Sequence, residues 1–208
     1  LIKPNAIKSL REALLNAGIK ATNCFVISSE ATEKTKIEYY KDWEVGSPSP
    51  NAPLLIVFPK NTAEVAMIIN AANKFNIPWL ARGAGTSLTG SSVPMKSSVI
   101  IDLSQMTTIG SFVGSENTAT IVAEAGALNI NVKKYAEECG WRFSPKPASF
   151  YMSSIGGNLA NNAVGINGAK EGATGDYVNA ATFVTAEGNI LTLRRFIPEE
   201  RVILDLLA

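Results

Sequence analysis

With 208 residues and 46% hydrophobic content, the chain can bury a core as one large domain or two small ones. Its 19 basic and 18 acidic residues give a net charge of +1 with no long run of one sign, which excludes the footprint of a nucleic-acid or anionic-lipid binder. There is no histidine, and Cys24 and Cys139 lack metal-ligand spacing, so a reducing compartment and no metal site are expected.

The opening stretch, LIKPNAIKSLREALLNAG, has the pattern of an amphipathic helix rather than a signal peptide. No apolar run reaches the ~20 residues that span a bilayer. A cytoplasmic location is the expectation. YYKDW at 39–43, ending a second helical pattern, reads as a packed rim. At 54–58, LLIVF between Pro53 and Pro59 predicts a strand buried on both faces. NTAEVAMIINAANKF predicts a helix with Asn61 as its cap, Glu64 three positions on, and Val65, Ile68, Ile69 and Ala72 on one face. IPWLA (77–81) gives the next strand, so 54–81 should form a βαβ unit with parallel strands and a right-handed crossover.

Further on, SVIIDL (98–103) and TATIVAEAG (118–126) have strand composition, and a helix in NVKKYAEECG should stop at Gly140. Cys139 within it reads as a small buried hydrophobe. Residues 147–176 hold six of the sixteen glycines and no sustained periodicity, so a long structureless functional segment is expected there. VNAATFVTAEGNILTL predicts a hairpin turning at Glu187-Gly188-Asn189, and PEERVILDLLA a last helix with Pro198 in its first turn.

The segment RGAGTSLTG (82–90) carries three glycines and three hydroxyls between two strands. A dinucleotide fingerprint would need glycine where Leu88 stands, and a helix next. A Walker loop fits from Gly85 to Gly90, but Ser91 occupies the lysine position. What remains is a loop whose glycines let successive N–H groups form an anion nest, with Thr86, Ser87 and Thr89 as extra donors, or a turn that merely tolerates glycine. A nest of this kind suits a diphosphate.

Six motifs occur in order: P-(x)4-E-V at 59–65, RGAGTSLTG at 82–90, IDLS at 101–104, AGA at 125–127, PASxxxSSIGGNLANNAxG at 147–165 and TGD at 174–176. Together they resemble the FAD-binding domain of the vanillyl-alcohol oxidase type (PCMH-type), most of all its D-lactate dehydrogenase and glycolate oxidase D-subunit branch. The resemblance covers about residues 38–194. It implies an α+β fold of two subdomains with extended FAD between them. The first, 1–104, would hold the N-terminal helices, the small parallel βαβ unit and the diphosphate loop. The second, 105–208, would hold a mixed or antiparallel sheet with flanking helices, the flavin-contacting segment 147–176, the hairpin and the C-terminal helix.

The resemblance also implies roles. Gly83, Ala84, Gly85, Thr86 and Ser87 would hold the diphosphate, with Leu88, Thr89 and Gly90 completing the loop. Arg82 could join them or serve as a structural ion-pair partner. Pro147, Ala148, Ser149, Ser154, Ile155, Gly156, Gly157 and Asn158 match the second flavin segment, where the amides of Gly156 and Gly157 would stabilise charge on the reduced ring. Asn161, Gly165, Gly172 and Thr174 would extend that wall. Lys146 and Glu171 depart from the family, which has an acidic residue and a tyrosine there. Many relatives tether the flavin to histidine, so FAD here should be non-covalent. The implied function is oxidation of a small 2-hydroxy acid by hydride transfer to flavin, with electrons passed to a quinone, an iron–sulfur partner or another carrier. A partner could bring the chain to a membrane surface. No catalytic residue is assigned, because relatives continue into a cap domain that supplies a substrate arginine and a histidine base. A non-catalytic FAD-binding subunit completed by a partner chain, and the enolpyruvyl reductase of the same fold, are the alternatives.

Overall fold

A computed structural model describes residues 4–26, 38–39, 54–114, 118–144 and 146–195. The chain forms two compact units: 1–81 with 87–102 and 178–208, and 82–86 with 103–177. The hairpin near the end of the sequence thus groups with the first unit, to which the chain returns at Val178.

In the first unit, helix α1 (Pro4–Asn16) buries Ile7, Leu10 and Leu14, as its amphipathic spacing predicts. Strands β1 (Cys24–Val26), β2 (Leu54–Val57), β3 (Trp79–Arg82) and β4 (Ser98–Asp102) make one sheet in the order β1-β2-β4-β3. β1 runs antiparallel to β2, and β2 runs parallel to β4 with Leu55, Ile56 and Val57 opposite Val99, Ile100 and Ile101. All six of those side chains are buried, so the unbroken apolar runs are indeed strands covered on both faces. The hydrogen-bonded parallel neighbour of β2 is therefore β4, which lies between β2 and β3.

Helix α2 (Thr62–Lys74) links β2 to β3 and begins as the sequence indicates. The Asn61 side chain accepts from the Glu64 N–H at 2.9 Å, and the Glu64 carboxylate accepts from the Lys60 N–H at 2.8 Å. Strands β7 (Ala180–Val184) and β8 (Ile190–Arg194) form the predicted hairpin. Its turn rests on α2: Gly188, at φ +83°, packs against Asn70, and Asn73 donates to the Ala186 carbonyl at 2.7 Å.

Tyr39, in the YYKDW stretch, is buried against Ile56 and Ile100, and its hydroxyl donates to the Asp102 carboxylate at 2.7 Å. Tyr40, Asp42 and the helix expected from Pro198 lie outside the described residues. Hydrogen bonds to charged groups contribute about 1.5–3 kcal/mol. Tyr39→Phe should therefore lower unfolding free energy by about that amount in a denaturant titration, and an unchanged midpoint would show that the bond carries no net stability.

The second unit has β5 (Val113–Gly114) paired with β6 (Ala119–Thr120), helix α3 (Asn129–Glu138) and two short helices, α4 (Ile155–Ala160) and α5 (Gly168–Glu171). The strand expected over 118–126 is realised for only two residues plus an isolated bridge, Ile109 to Ala123. Val113 and Val122 are exposed, so strand propensity there has no core to pack on. Helix α3 stops before Gly140, at φ +80°, as expected. Cys139 is exposed, contrary to expectation, because the helix ends at Glu138 before its buried face of Asn129, Val132 and Ala136 is extended. The expectation of a structureless 147–176 also fails. The segment contains α4, α5 and a 3-10 turn at Thr174–Tyr177. Helices of six and four residues are too short to show a period, and tertiary hydrogen bonds hold them instead. Among the described residues no helix is long and apolar enough to cross a membrane.

Candidate functional site

The second unit brings together two glycine-containing stretches that are about seventy residues apart in sequence, which is the separation that motif order alone cannot bridge. A Cβ added to Gly83 would lie 2.4 Å from the Ser154 hydroxyl and 3.8 Å from the Gly157 nitrogen, so only glycine lets this turn approach the start of α4. Gly85 takes φ +67°, and a Cβ there would lie 2.1 Å from the Arg82 guanidinium. Arg82 itself is 6% exposed, a buried cation folded against the turn that follows it.

No hydrogen bond from the N–H groups of Gly83, Ala84, Gly85 or Thr86 to another described residue is present. A turn with a left-handed glycine, unengaged amides and an adjacent guanidinium has the chemistry of an anion nest. The remainder of the loop belongs to the first unit and bonds to itself. The Ser87 hydroxyl accepts from the Thr89 N–H at 3.1 Å and from the Ser91 hydroxyl at 2.8 Å, Leu88 is exposed, and Gly90 at φ +76° turns the chain.

The second predicted segment is placed from below. Ser154 caps α4, its hydroxyl accepting from the Gly157 N–H at 3.3 Å. The N–H groups of Ile155 and Gly156 donate to the carbonyls of Ala127 and Ala125, both at 2.8 Å. A Cβ on Gly156 would meet Ala125 at 2.7 Å, so this glycine serves the packing of α4 on the AGA segment. The Gly156 and Gly157 amides, expected from sequence to face the ring, thus already have partners within the chain. Asn158 is buried and donates to the Asn129 side chain at 3.0 Å, and the Asn161 side chain donates to the Gly157 carbonyl at 2.9 Å.

Pro147, Ala148 and Gly165 line a cavity of about 490 Å³ with Lys146, Phe150, Tyr151, Val164 and Ile166. Ser149 sits in the turn that forms this wall, its carbonyl accepting from the Met152 and Ser153 N–H groups. A Cβ on Gly165 would overlap the Lys146 backbone at 2.6 Å, which keeps the two sides of the wall close. Phe150 is fully buried beneath it, and the Lys146 ammonium lies 5.8 Å from its ring. Gly172 at φ +78° and Thr174, whose hydroxyl donates to the Ala163 carbonyl at 2.7 Å, close the segment. Glu171 accepts from Arg142 and from the Ser144 hydroxyl. Sequence reasoning does not single out Asn129, which lies outside the six motifs, and it carries Ser153 only as part of the 147–165 motif, with no role of its own. The sole sign of Asn129 is a polar residue where α3 turns its buried face. Among the described residues no group of three or more histidine, cysteine, aspartate or glutamate side chains could hold a metal ion.

Comparison with known proteins gives these features a context. Glycolate oxidase subunit GlcD of Bacillus subtilis (strain 168) is 31% identical over 139 residues, covering 67% of this chain and 29% of its own. D-2-hydroxyglutarate dehydrogenase of Stutzerimonas stutzeri (strain A1501) is 32% identical over 158 residues, covering 76% of this chain and 33% of its own. The chain therefore spans about a third of the length of the curated relatives it matches. A solved structure of alkyldihydroxyacetonephosphate synthase superposes with a TM-score of 0.72 at 22% identity, covering 97% of this chain and 37% of that one, a likeness of fold. The family described as FAD binding domain matches residues 53–194, a stretch that contains the turn at 83–86, the α4 cap and the cavity wall. The chain belongs to this FAD binding domain family, with FAD as its cofactor.

Proposed function

We propose that the chain is the flavin-binding part of an oxidoreductase that oxidises a small 2-hydroxy acid, such as D-lactate or glycolate. The observation that carries the reading is the turn at 83–86, whose amides bond to no other described residue, with the buried Arg82 beside it, packed on the capped start of α4. In this reading the amides of Gly83, Ala84, Gly85 and Thr86 bind the diphosphate, and Arg82 offsets its charge. Ser87, Leu88, Thr89 and Gly90 continue the loop. Pro147, Ala148, Ser149 and Gly165 shape the wall that receives the ring, while Ser154, Ile155, Gly156, Gly157, Asn158, Asn161, Gly172 and Thr174 hold that wall in place. Bound FAD supplies a hydride acceptor at N5. Phe150 lies beneath that wall and the exposed Tyr151 at its edge.

The names of the two relatives support the substrate class, a glycolate and a 2-hydroxyglutarate. The first is named a subunit, which supports a protein partner that carries electrons onward, through an iron–sulfur centre or to a quinone. The near-neutral charge and the lack of a membrane-crossing helix among the described residues fit a cytoplasmic location. A second reading, an FAD-binding chain whose reacting groups come from elsewhere, is favoured by the absence of histidine from all 208 residues.

Without histidine there is no histidyl tether, so binding should be non-covalent. Acid precipitation of the flavin-loaded protein should leave a yellow supernatant. Flavin retained in the pellet would overturn non-covalent binding, and a failure of the folded protein to take up excess FAD would overturn the reading itself.

A further inference from the structure

We propose that Asn129 is a positioning residue for the FAD site, acting through Ser153 and Asn158 to fix the start of α4 against the turn at 83–86. This rests on the flavin reading above. Asn129 is the first residue of α3 and wholly buried. Its side-chain amide donates to the Ser153 carbonyl and to the Ser153 hydroxyl, each at 2.9 Å. Its side-chain oxygen accepts from the Asn158 amide at 3.0 Å, and its backbone N–H donates to the Ser153 carbonyl at 3.0 Å. One side chain thus grips the residue before the α4 cap and the fourth residue of the helix.

The grip matters because α4 has little order of its own. It is six residues long, IGGNLA, with two adjacent glycines, far below the ~12–15 residues at which an isolated helix becomes marginal. The bonds of Ile155 and Gly156 to Ala127 and Ala125 set its height, and the Leu128 to Ser154 bridge continues them. Asn129 is the side chain that locks both ends of that register. Ser154 sits between its two partners, and the Ser154 hydroxyl is what packs on Gly83. Buried amide networks of this kind specify a single arrangement when every group is satisfied, and lose it when one member is removed.

The Asn129→Ala protein would leave the Ser153 oxygens and the Asn158 amide without this partner, so α4 would lose its fixed register and the turn at 83–86 its backing. The experiment compares wild type, Asn129→Ala, the isosteric Asn129→Asp and Val132→Ala, all as folded proteins. Val132 is a buried aliphatic residue on the same helix, with no hydrogen bond into α4, and it reports what general loosening of the helix does. FAD affinity is measured by titration, thermal stability by unfolding, and the setting of the flavin by visible circular dichroism at saturating FAD.

The expected result is at least a tenfold loss of FAD affinity in Asn129→Ala and no smaller a loss in Asn129→Asp, which keeps the acceptor for Asn158 but sets an acceptor against the Ser153 carbonyl. Both should show an altered flavin circular dichroism band. Val132→Ala should lose comparable thermal stability while binding FAD within twofold of wild type and with the wild-type band. If Asn129→Ala fails to fold, Asn129→Asp carries the comparison. Wild-type affinity and spectrum in the Asn129 variants, or an equal loss in Val132→Ala, would overturn the inference. A wild-type protein that binds no FAD would overturn the flavin reading and the inference with it.

Discussion

Gly85→Val should weaken FAD binding by about 100-fold or more while leaving the protein folded. At φ +67° a β-branched residue carries strain of roughly 1–3 kcal/mol. Here the new Cβ would also stand 2.1 Å from a guanidinium nitrogen and 2.5 Å from its central carbon. Arg82 has a flexible side chain, but it is buried, so relieving the overlap means moving a desolvated cation away from the turn. Each 1.4 kcal/mol is about a factor of ten in affinity, so strain and displaced charge together reach two decades. Gly140→Val is the matching control. It has φ +80° and nothing within 4 Å of an added Cβ, so it should carry similar strain at the end of α3 without touching the turn. Gly83→Ala tests the other side of the same contact, since its methyl would meet the Ser154 hydroxyl at 2.4 Å. Equal FAD affinity in wild type and Gly85→Val, titrated on folded protein, would reject the nest.

The contrast between these glycines shows what a sequence makes legible. LLIVF and SVIIDL are readable because a strand covered on both faces needs an unbroken apolar run, and the Asn61 cap and the Gly188 turn are readable because each is decided within a few residues. The position of β4 between β2 and β3 is not written locally, since any of the three runs could occupy the centre. The composition of the glycine loop announces a tight turn, with Gly85 and Gly90 at positive φ. The need for Gly83, however, comes from Ser154, about seventy residues away, and the need for Gly156 comes from Ala125 rather than from a ligand. Helix α4 escapes a periodicity search because its stability lies in Ala125, Ala127 and Asn129, outside its own six residues. Cys139 is misjudged for a related reason. Its spacing extends a buried face that the helix, ending at Glu138, does not reach.

Residues 1–208 loaded with FAD should not be reduced by D-lactate, glycolate or longer 2-hydroxy acids, although dithionite should bleach the same flavin. Hydride transfer from such an acid needs a base within roughly 2.6–3.2 Å of the hydroxyl and a cation holding the carboxylate so that the α-carbon faces the acceptor. The chain has no histidine to serve as that base. Among the described residues no carboxylate lines the cavity, and Glu171, which follows in the same segment, is already engaged by Arg142 and Ser144. With its oxygens accepting from a guanidinium and a hydroxyl, that carboxylate is not aimed at an incoming substrate hydroxyl. Of the cations nearest these elements in sequence, Arg82 is buried beside the turn at 83–86, Arg142 is paired with Glu171, and Lys146 lies at the Phe150 ring. Stopped-flow mixing with each acid should therefore give no decay of the flavin bands beyond that of a buffer control. Rapid bleaching by any one of them would show that a base and a carboxylate site lie within these residues. Glu171→Gln would then decide whether Glu171 is that base, since loss of the bleaching phase with FAD affinity intact would assign it.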